Sequence, residues 1–451
     1  MDYDVLIRGG QVLTTDGALE VDIGIVEGRI AAIGENLNGT ARSELDAGEL
    51  HVLPGGIDAH VHCDEPGRTE WEGFATASAA LAAGGMTTFV DMPLNASPPT
   101  VDADSFELKA RAAAASARVD FALWGGLVPG NLDQLDAMHA RGAVGFKAFM
   151  SETGMADFRP ADDATLLDGM RRAAALDALV AVHAENNMLV SAARDRLVAA
   201  GRTDARSWLE SRSTVAELEA ISRAITFAAD AGCRLHIVHV STGAGIKLVQ
   251  DARRRGVAVS WETATHFLAL TEDDVVALGP IAKCAPVMRD QANRERLWSE
   301  VGSDPRAIVA SDHSPCPPEL KQTDDFFAAW GGINGCQSTL GVLLEGVNDG
   351  RIGLAAAVDA VSANVAARLR LPQKGRIAVG YDADLALVDL RRRWTLTPEE
   401  LRYRHQISAL VGSPISGEVR HVFSRGRAVL SDGQLNEQVR GRLIKPSSAD
   451  D

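Results

Sequence analysis

The chain has no disulfide framework to read. Its five cysteines, Cys63, Cys233, Cys284, Cys316 and Cys336, are scattered, odd in number and without a Cys-x-x-Cys pair, which fits a reducing cytosol. Long hydrophobic runs are absent too: none approaches the ~20 residues that span a bilayer. The opening Met1-Asp2-Tyr3-Asp4 has no cationic segment of the kind that begins a signal peptide, so a soluble, cytoplasmic protein is expected. Positive charge is in short supply, with 45 Lys and Arg against 61 Asp and Glu and a net charge of -16. That balance opposes nucleic acid and anionic membrane surfaces and leaves a small molecule as the expected ligand. No repeat longer than a strand–helix unit and no low-complexity tract is visible. What is present is ordinary globular composition, 46% hydrophobic and 24% charged over 451 residues, enough for a large domain with an accessory one.

The first 52 residues show no helical period. Short β-like runs at 5–8, 21–26 and 29–33 are separated by turns such as Glu27-Gly28 and Gly34-Glu35. The end of the chain repeats the style at 384–388, 419–423 and 426–430. Neither set alone has strands enough to bury a face. Residues 1–52 and 372–451 are therefore expected to share one small β-sandwich, with a frayed polar tail ending Ser447-Ser448-Ala449-Asp450-Asp451. Between them, residues 53–371 alternate strand, turn and helix. Strand candidates are 57–62, 87–92, 121–127, 144–150, 179–183, 235–240, 257–262 and 307–312, separated by helical stretches such as 70–83, 104–117, 161–175, 215–231 and 289–301. Eight such alternations predict an α/β fold, a (β/α)8 barrel of TIM type. A doubly wound open sheet is the rival, but the glycine-rich phosphate loop it would carry after its first strand is missing; His60 and His62 stand there. Thr69 and Glu72 are spaced as a capping box for the first helix. The stretch 314–335, rich in Pro, Asp and Gly, is a long loop of the kind that usually carries function.

In a strand the side-chain period is two, so His60 and His62 project from one face, close enough to grip a single cation. An isolated His-x-His is as readily polar decoration; here later strands add ligand-type residues at their ends. Barrel chemistry gathers at the C-terminal ends of strands. By that rule strand one supplies His60 and His62, strand four Lys147, strand five His183, strand six His239 and strand eight Asp312. Parity separates neighbours. His236 and His239, three apart, face opposite ways in a regular strand, so only His239 is expected inside, with His236 between strand and helices; Asp312 and His313 likewise point apart. Four imidazoles and a carboxylate exceed what one catalytic zinc requires and fall short of two complete ligand sets, so a bridge is missing. Lys147, in Gly145-Phe146-Lys147-Ala148-Phe149-Met150, sits where burial lowers the pKa of an ammonium toward a nucleophilic amine. Such an amine can take up carbon dioxide as a carbamate; a buried ion pair is the alternative.

The segments 63–74 (Cys63-Asp64-Glu65-Pro66 to Glu72-Gly73-Phe74), Asp91-Met92-Pro93-Leu94-Asn95, Ala282-Lys283-Cys284-Ala285-Pro286, 311–319 (Ser311-Asp312-His313-Ser314-Pro315 onward), Tyr403-Arg404-His405 and 375–385 carry a resemblance. Over nearly its full length the chain resembles the cyclic amidohydrolases of the dihydroorotase, hydantoinase and allantoinase group. The resemblance implies a two-metal hydrolase, with His60, His62 and Asp312 on one divalent ion, His183 and His239 on the other, and carbamylated Lys147 bridging them. Zinc suits this set, and cobalt, manganese or iron are compatible with it. Also implied is a hydroxide shared by the ions that attacks a ring amide carbonyl, while Asp312 takes its proton and returns it to the departing nitrogen.

Within the group, dihydroorotases carry an arginine for the substrate carboxylate where this chain has Asp64, which would repel one. Hydantoinases usually have a tyrosine in the loop after the lysine, which here reads Ser151-Glu152-Thr153-Gly154-Met155. The expectation is therefore the branch that opens allantoin, a neutral hydantoin with a ureido arm, to allantoate in purine catabolism. Hydantoinase or dihydropyrimidinase chemistry is the alternative, and dihydroorotase a distant third. Gly331, Gly332, Asn334, Cys284 and Ala285 are the expected substrate contacts, with Ala285 standing where hydantoinase-like members often have serine. Asn334 reads equally as a turn residue. The resemblance further suggests a homotetramer. His51, His139, His405 and His421 lie outside the rim and read as surface or packing residues, His266 as a neighbour of the site, and Arg68 as a clamp on the first loop.

Overall fold

The computed structural model describes residues 2–14 and 17–447; the tail expected to fray at 448–451 lies outside the described residues. Among these, eight parallel strands close a barrel: β1 Gly56–Val61, β2 Met86–Asp91, β3 Asp120–Leu123, β4 Phe146–Phe149, β5 Leu179–His183, β6 Arg234–Ile237, β7 Val259–Ala264 and β8 Ile308–Ala310. Neighbours pair in chain order from β1 to β3 and from β4 to β8. β3 reaches β4 through its continuation Gly125–Gly126, after a break at Trp124. The circle closes beyond β8, where the His62 N–H donates to the His313 carbonyl at 2.7 Å.

Register fixes which side chains face inward, because residues opposite one another in a ladder share a face. Lys147 pairs with Ala181, Ala181 with His236 and His236 with Ser260, making one interior layer. Ile57, Val90, Ala122, Trp124, Leu179, Ile308 and Ala310 fill the rest of the lumen, with Val365, Ala366 and Leu369 of the helix Ala363–Leu369 packed into the same core.

The outer helices lie close to their expected spans, at Ala103–Ser116, Asp163–Ala175, Thr214–Ala231 and Gln291–Ser303. The first helix does not. It begins at Phe74, and the Thr69–Glu72 capping box is not formed. Glu72 is fully buried and accepts from the Arg404 N–H at 3.1 Å, while the Phe74 N–H is satisfied by Glu65 at 2.9 Å. A long-range partner has taken the side chain that local spacing assigned to the cap. A working box sits instead at Asp102 and Ser105, opening the next helix.

Strands from both chain ends form one nine-stranded sheet. His51–Pro54 pairs with Asp2–Thr14 on one side and, antiparallel, with Leu385–Thr395 on the other. The sheet folds over on itself, so that Ile7, Val12, Ile23 and Ile25 share a core with Leu385, Leu387 and Phe423. Its far edge, Arg29–Gly34, returns to the chain before Leu385: Ile30 N–H donates to Tyr381 O and Ala383 N–H to Gly28 O, both at 2.9 Å. The expected sandwich is thus a continuous folded sheet. Lys374 joins it to the barrel, its Nζ lying 2.7 Å from Asp120 on β3 and 3.0 and 2.6 Å from Asp382 and Asp384. These three carboxylates are close enough to hold a metal ion, but the ammonium already sits among them. No described helix is long and apolar enough to cross a membrane.

Candidate metal centre

Six side chains from five strands meet at one mouth of the barrel. His60 Nε2 is 3.2 Å and His62 Nε2 3.8 Å from Asp312 Oδ1, and these three ligand atoms lie within 4.8 Å of one another. His183 Nδ1 faces His239 Nε2 at 3.1 Å, and the His239 ring centre is 5.3 Å from that of His60. Lys147 Nζ is fully buried without a hydrogen-bond partner among the described residues, 4.8 Å from the centre of Phe149, which in turn stacks on His183. Two of the six stand in left-handed backbone: His239 at φ 38° and Asp312 at φ 48°. Non-glycine residues there cost on the order of 1–3 kcal/mol each, and such strain gathers where a side chain must be aimed.

What lies behind the imidazoles decides which nitrogen is left for a ligand. His60 Nδ1–H donates to Glu262 at 2.6 Å, His62 Nδ1–H to the Leu94 carbonyl at 2.8 Å, and His183 Nε2–H to Glu185 at 2.8 Å. Each outer partner can only accept, so the opposite nitrogen of each ring carries a lone pair turned into the common space. Burial pushes all four imidazoles toward the neutral form, His60 to about 4. Glu262, although burial works against its charge, is held below the ordinary carboxylate range by His60 and His236. Glu185, against the same burial, is held at about 2 by Arg212 and His183. Burial lowers the Lys147 ammonium to about 8, against the pull of Asp312 and Glu262, and raises the Asp312 carboxyl to about 8. Converging lone pairs and an orphaned buried amine are poorly satisfied by one another. They fit a divalent cation.

Some expectations do not survive. His236 is inside the barrel, not behind it: its Nε2 bonds Glu262 at 3.0 Å and its Nδ1 Ser260 at 2.7 Å. Parity failed because β6 ends at Ile237, and the left-handed turn at His239 swings that ring inward too. Asn334, an expected substrate contact, is not among the residues that line the cavity, and its side-chain amide donates to the His405 carbonyl at 3.4 Å. Asp64 does not face the cavity. It is buried against Asn95, and burial pushes its carboxyl well up, so it does not set the charge that a substrate meets. Arg68 clamps more than its own loop, reaching the Asn95 carbonyl and Met155. Glu185, Glu262, Arg212, Trp208 and Lys283 were passed over in the sequence. Glu185 alone carried a usable signal, two residues after a strand-end histidine.

Five of the six, all but the buried Lys147, open onto a cavity of about 340 Å³ that Gly331, Gly332, Cys284 and Ala285 also line. Gly332, at φ 135°, has no room for a side chain: a Cβ would fall 2.2 Å from the Ser314 carbonyl. A closed parallel barrel with nitrogen and carboxylate ligands gathered at the strand ends is the architecture of a metal-dependent hydrolase. The chain belongs to the amidohydrolase family, whose sequence profile matches residues 51–429. It is 52% identical over 446 residues to an allantoinase of Rubrobacter xylanophilus, covering 98% of each chain. To an allantoinase of Solibacter usitatus it is 48% identical, covering 99% of this chain and 97% of that one. Among solved structures it is similar to an L-hydantoinase (dihydropyrimidinase) from Arthrobacter aurescens, with TM-score 0.95, 34% identity and coverage of 98% and 100%.

Proposed function

We propose that this enzyme hydrolyses the ring amide of allantoin to give allantoate. The observation that carries the reading is the set of lone pairs locked toward one cavity by Glu262, Glu185 and the Leu94 carbonyl, in a chain whose full-length relatives are allantoinases. The hydantoinase among its structural neighbours favours a second reading, ring opening of hydantoins or dihydropyrimidines.

His60, His62 and Asp312 would hold one divalent ion and His183 and His239 the other. Lys147 would bridge as a carbamate: the neutral amine forms a bond to the carbon of carbon dioxide and loses a proton to water, replacing a buried cation by an anion. When bound, two such ions, zinc by ligand type with cobalt, manganese or iron compatible, polarise a carbonyl and make water acidic enough to ionise at neutral pH. Asp312 takes the proton of the attacking water at its carboxylate and returns it to the ring nitrogen as the amide bond breaks. Main-chain groups of Gly331, Gly332, Cys284 and Ala285 would orient the ring. The acidic balance and five unpaired thiols suit the cytoplasm, and the resemblance supports a homotetramer.

The test is product formation from a panel of cyclic ureides with metal content measured in parallel. Allantoin should be opened, and chelation should abolish turnover. A sample inert on allantoin yet active on hydantoin or dihydrouracil moves the enzyme to the second reading.

A further inference from the structure

One cation of the cavity wall has no counter-ion among the described residues. Lys283 is buried, 4% exposed, in the segment between the helix Glu272–Leu278 and the helix Gln291–Ser303, and it lines the same cavity as the caged histidines. Its Nζ donates to the Ala329 carbonyl and stands 4.1 Å over the ring of Trp208. None of the ion pairs among the described residues includes it; Asp325, on the long loop, acts on it only at longer range. The nearby cation Arg212, 4.5 Å from the same Trp208 ring, is by contrast matched by Glu185. Trp208 is fixed in turn, its indole N–H donating to the Cys284 carbonyl at 3.1 Å.

An ammonium has three N–H donors, and one carbonyl and one ring face leave donor capacity unspent. Buried charges are ordinarily paired, and burial, with Arg212 and Lys321 nearby, pulls this one down to about 7. A ligand that brings an oxygen acceptor to this wall would supply the missing partner. Metal-facing residues deal with the ring amide; Lys283 is not one of them but lines the same cavity beside Trp208, Ala329 and Gly331, and so is left to meet a substituent of the ring. The carbonyl oxygen of an uncharged ureido group suits an ammonium with spare N–H.

We infer that Lys283, seated on Trp208, is a specificity-determining residue that hydrogen-bonds the carbonyl oxygen of the ureido substituent on the substrate ring. The inference rests on the allantoin reading above. Without this donor the enzyme would treat a ureido-bearing ring and a bare hydantoin more nearly alike.

The experiment measures kcat/KM on allantoin and on unsubstituted hydantoin for the metal-loaded wild type, Lys283→Met and Lys283→Arg, with bound metal counted for each. The expected result is a 10- to 100-fold fall in the allantoin-to-hydantoin ratio for Lys283→Met, carried mainly by KM, with metal stoichiometry unchanged and part of the ratio restored in Lys283→Arg. A ratio within about twofold of wild type, or a ratio change that follows metal loss, overturns the inference and leaves the allantoin reading intact. A wild type that opens hydantoin but not allantoin overturns both. Should Lys283→Met not fold, Lys283→Leu, which likewise lacks a donor, is measured against the same outcomes.

Discussion

Three of the four caged imidazoles have an acceptor behind them, whereas His239 Nδ1 has none among the described residues. The outer carboxylates are therefore where ligand basicity is set, and Glu262 carries the most, holding His60 and His236 together. Glu262→Gln places an amide that can donate to His60 Nδ1 and reverse its tautomer. It should weaken metal binding by about 10–100-fold, read by competition with a chelator, and unchanged affinity would dismiss the tautomer argument. Lys147→Ala should lose the bridge, retained metal and turnover together; turnover near wild type refutes the carbamate. The ligand candidates themselves were legible because a period of two and a strand end are written in the sequence. Their aim was not: the left-handed turns at His239 and Asp312 follow from how the strand ends are packed, and parity counting across the first of them misread His236.

At the scale of elements, the long loop 314–335 is a wall rather than a strap. Lys321 Nζ donates to the carbonyls of Pro280 and Trp330 at 3.2 Å and of Gly332 at 2.8 Å. The Gly332 N–H donates to the Lys283 carbonyl at 2.8 Å, and Trp330 meets Trp71 edge-on at 4.8 Å. Charged donors of this kind contribute roughly 1.5–3 kcal/mol. Lys321→Met should therefore loosen the loop, raising KM several-fold and exposing it to limited proteolysis, while melting of the barrel shifts little. A KM and cleavage pattern matching wild type would show that the loop is held by other contacts. Composition announced a long functional loop here, but not that one lysine ties two of its carbonyls to a third at Pro280, because those partners come from separate segments. Local chemistry was readable where it stayed local: Asp102 caps its helix through Ser105, and Asp102→Ala should cost about 1 kcal/mol. At Thr69 and Glu72 the distant Arg404 won instead.

For the molecule as a whole, the seam between folded sheet and barrel joins apolar packing of Ala386, Val388 and Ile415 to a buried charge set. Lys374 is flanked by Asp120, Asp382 and Asp384, and Arg425 also reaches Asp120 at 3.0 Å. Removing one partner of a buried charge set leaves the others uncompensated, at a cost of about 3–5 kcal/mol; Lys374→Met should lower the melting temperature accordingly. Although burial opposes its charge, the carboxylates raise the Lys374 pKa above the ordinary 10.5. Its contribution is thus fully present below about pH 10.5, where the unfolded chain keeps its proton, and is lost as pH rises through the folded value. Asp120, despite its burial, is held below 3.8 by Lys374 and Arg425, so its share is present above that pH and fades in acid. Melting curves against pH should show the alkaline fall reduced in Lys374→Met, and an identical fall would assign it to other groups. None of this seam was foreseen, since its charges are spread from Asp120 to Arg425.

The shared sheet also sets an order of events for the nascent chain. The strand His51–Pro54 finds its partner on one side, Leu385–Val388, only after more than three hundred intervening residues have been made. Until then it waits with one edge unsatisfied, a template for stray association, and the long-range pairing makes late, slow closure the expected course. Translation arrested shortly before Leu385 should leave a product that clumps or clings to holdase chaperones, even though the strands of the barrel have by then all left the ribosome.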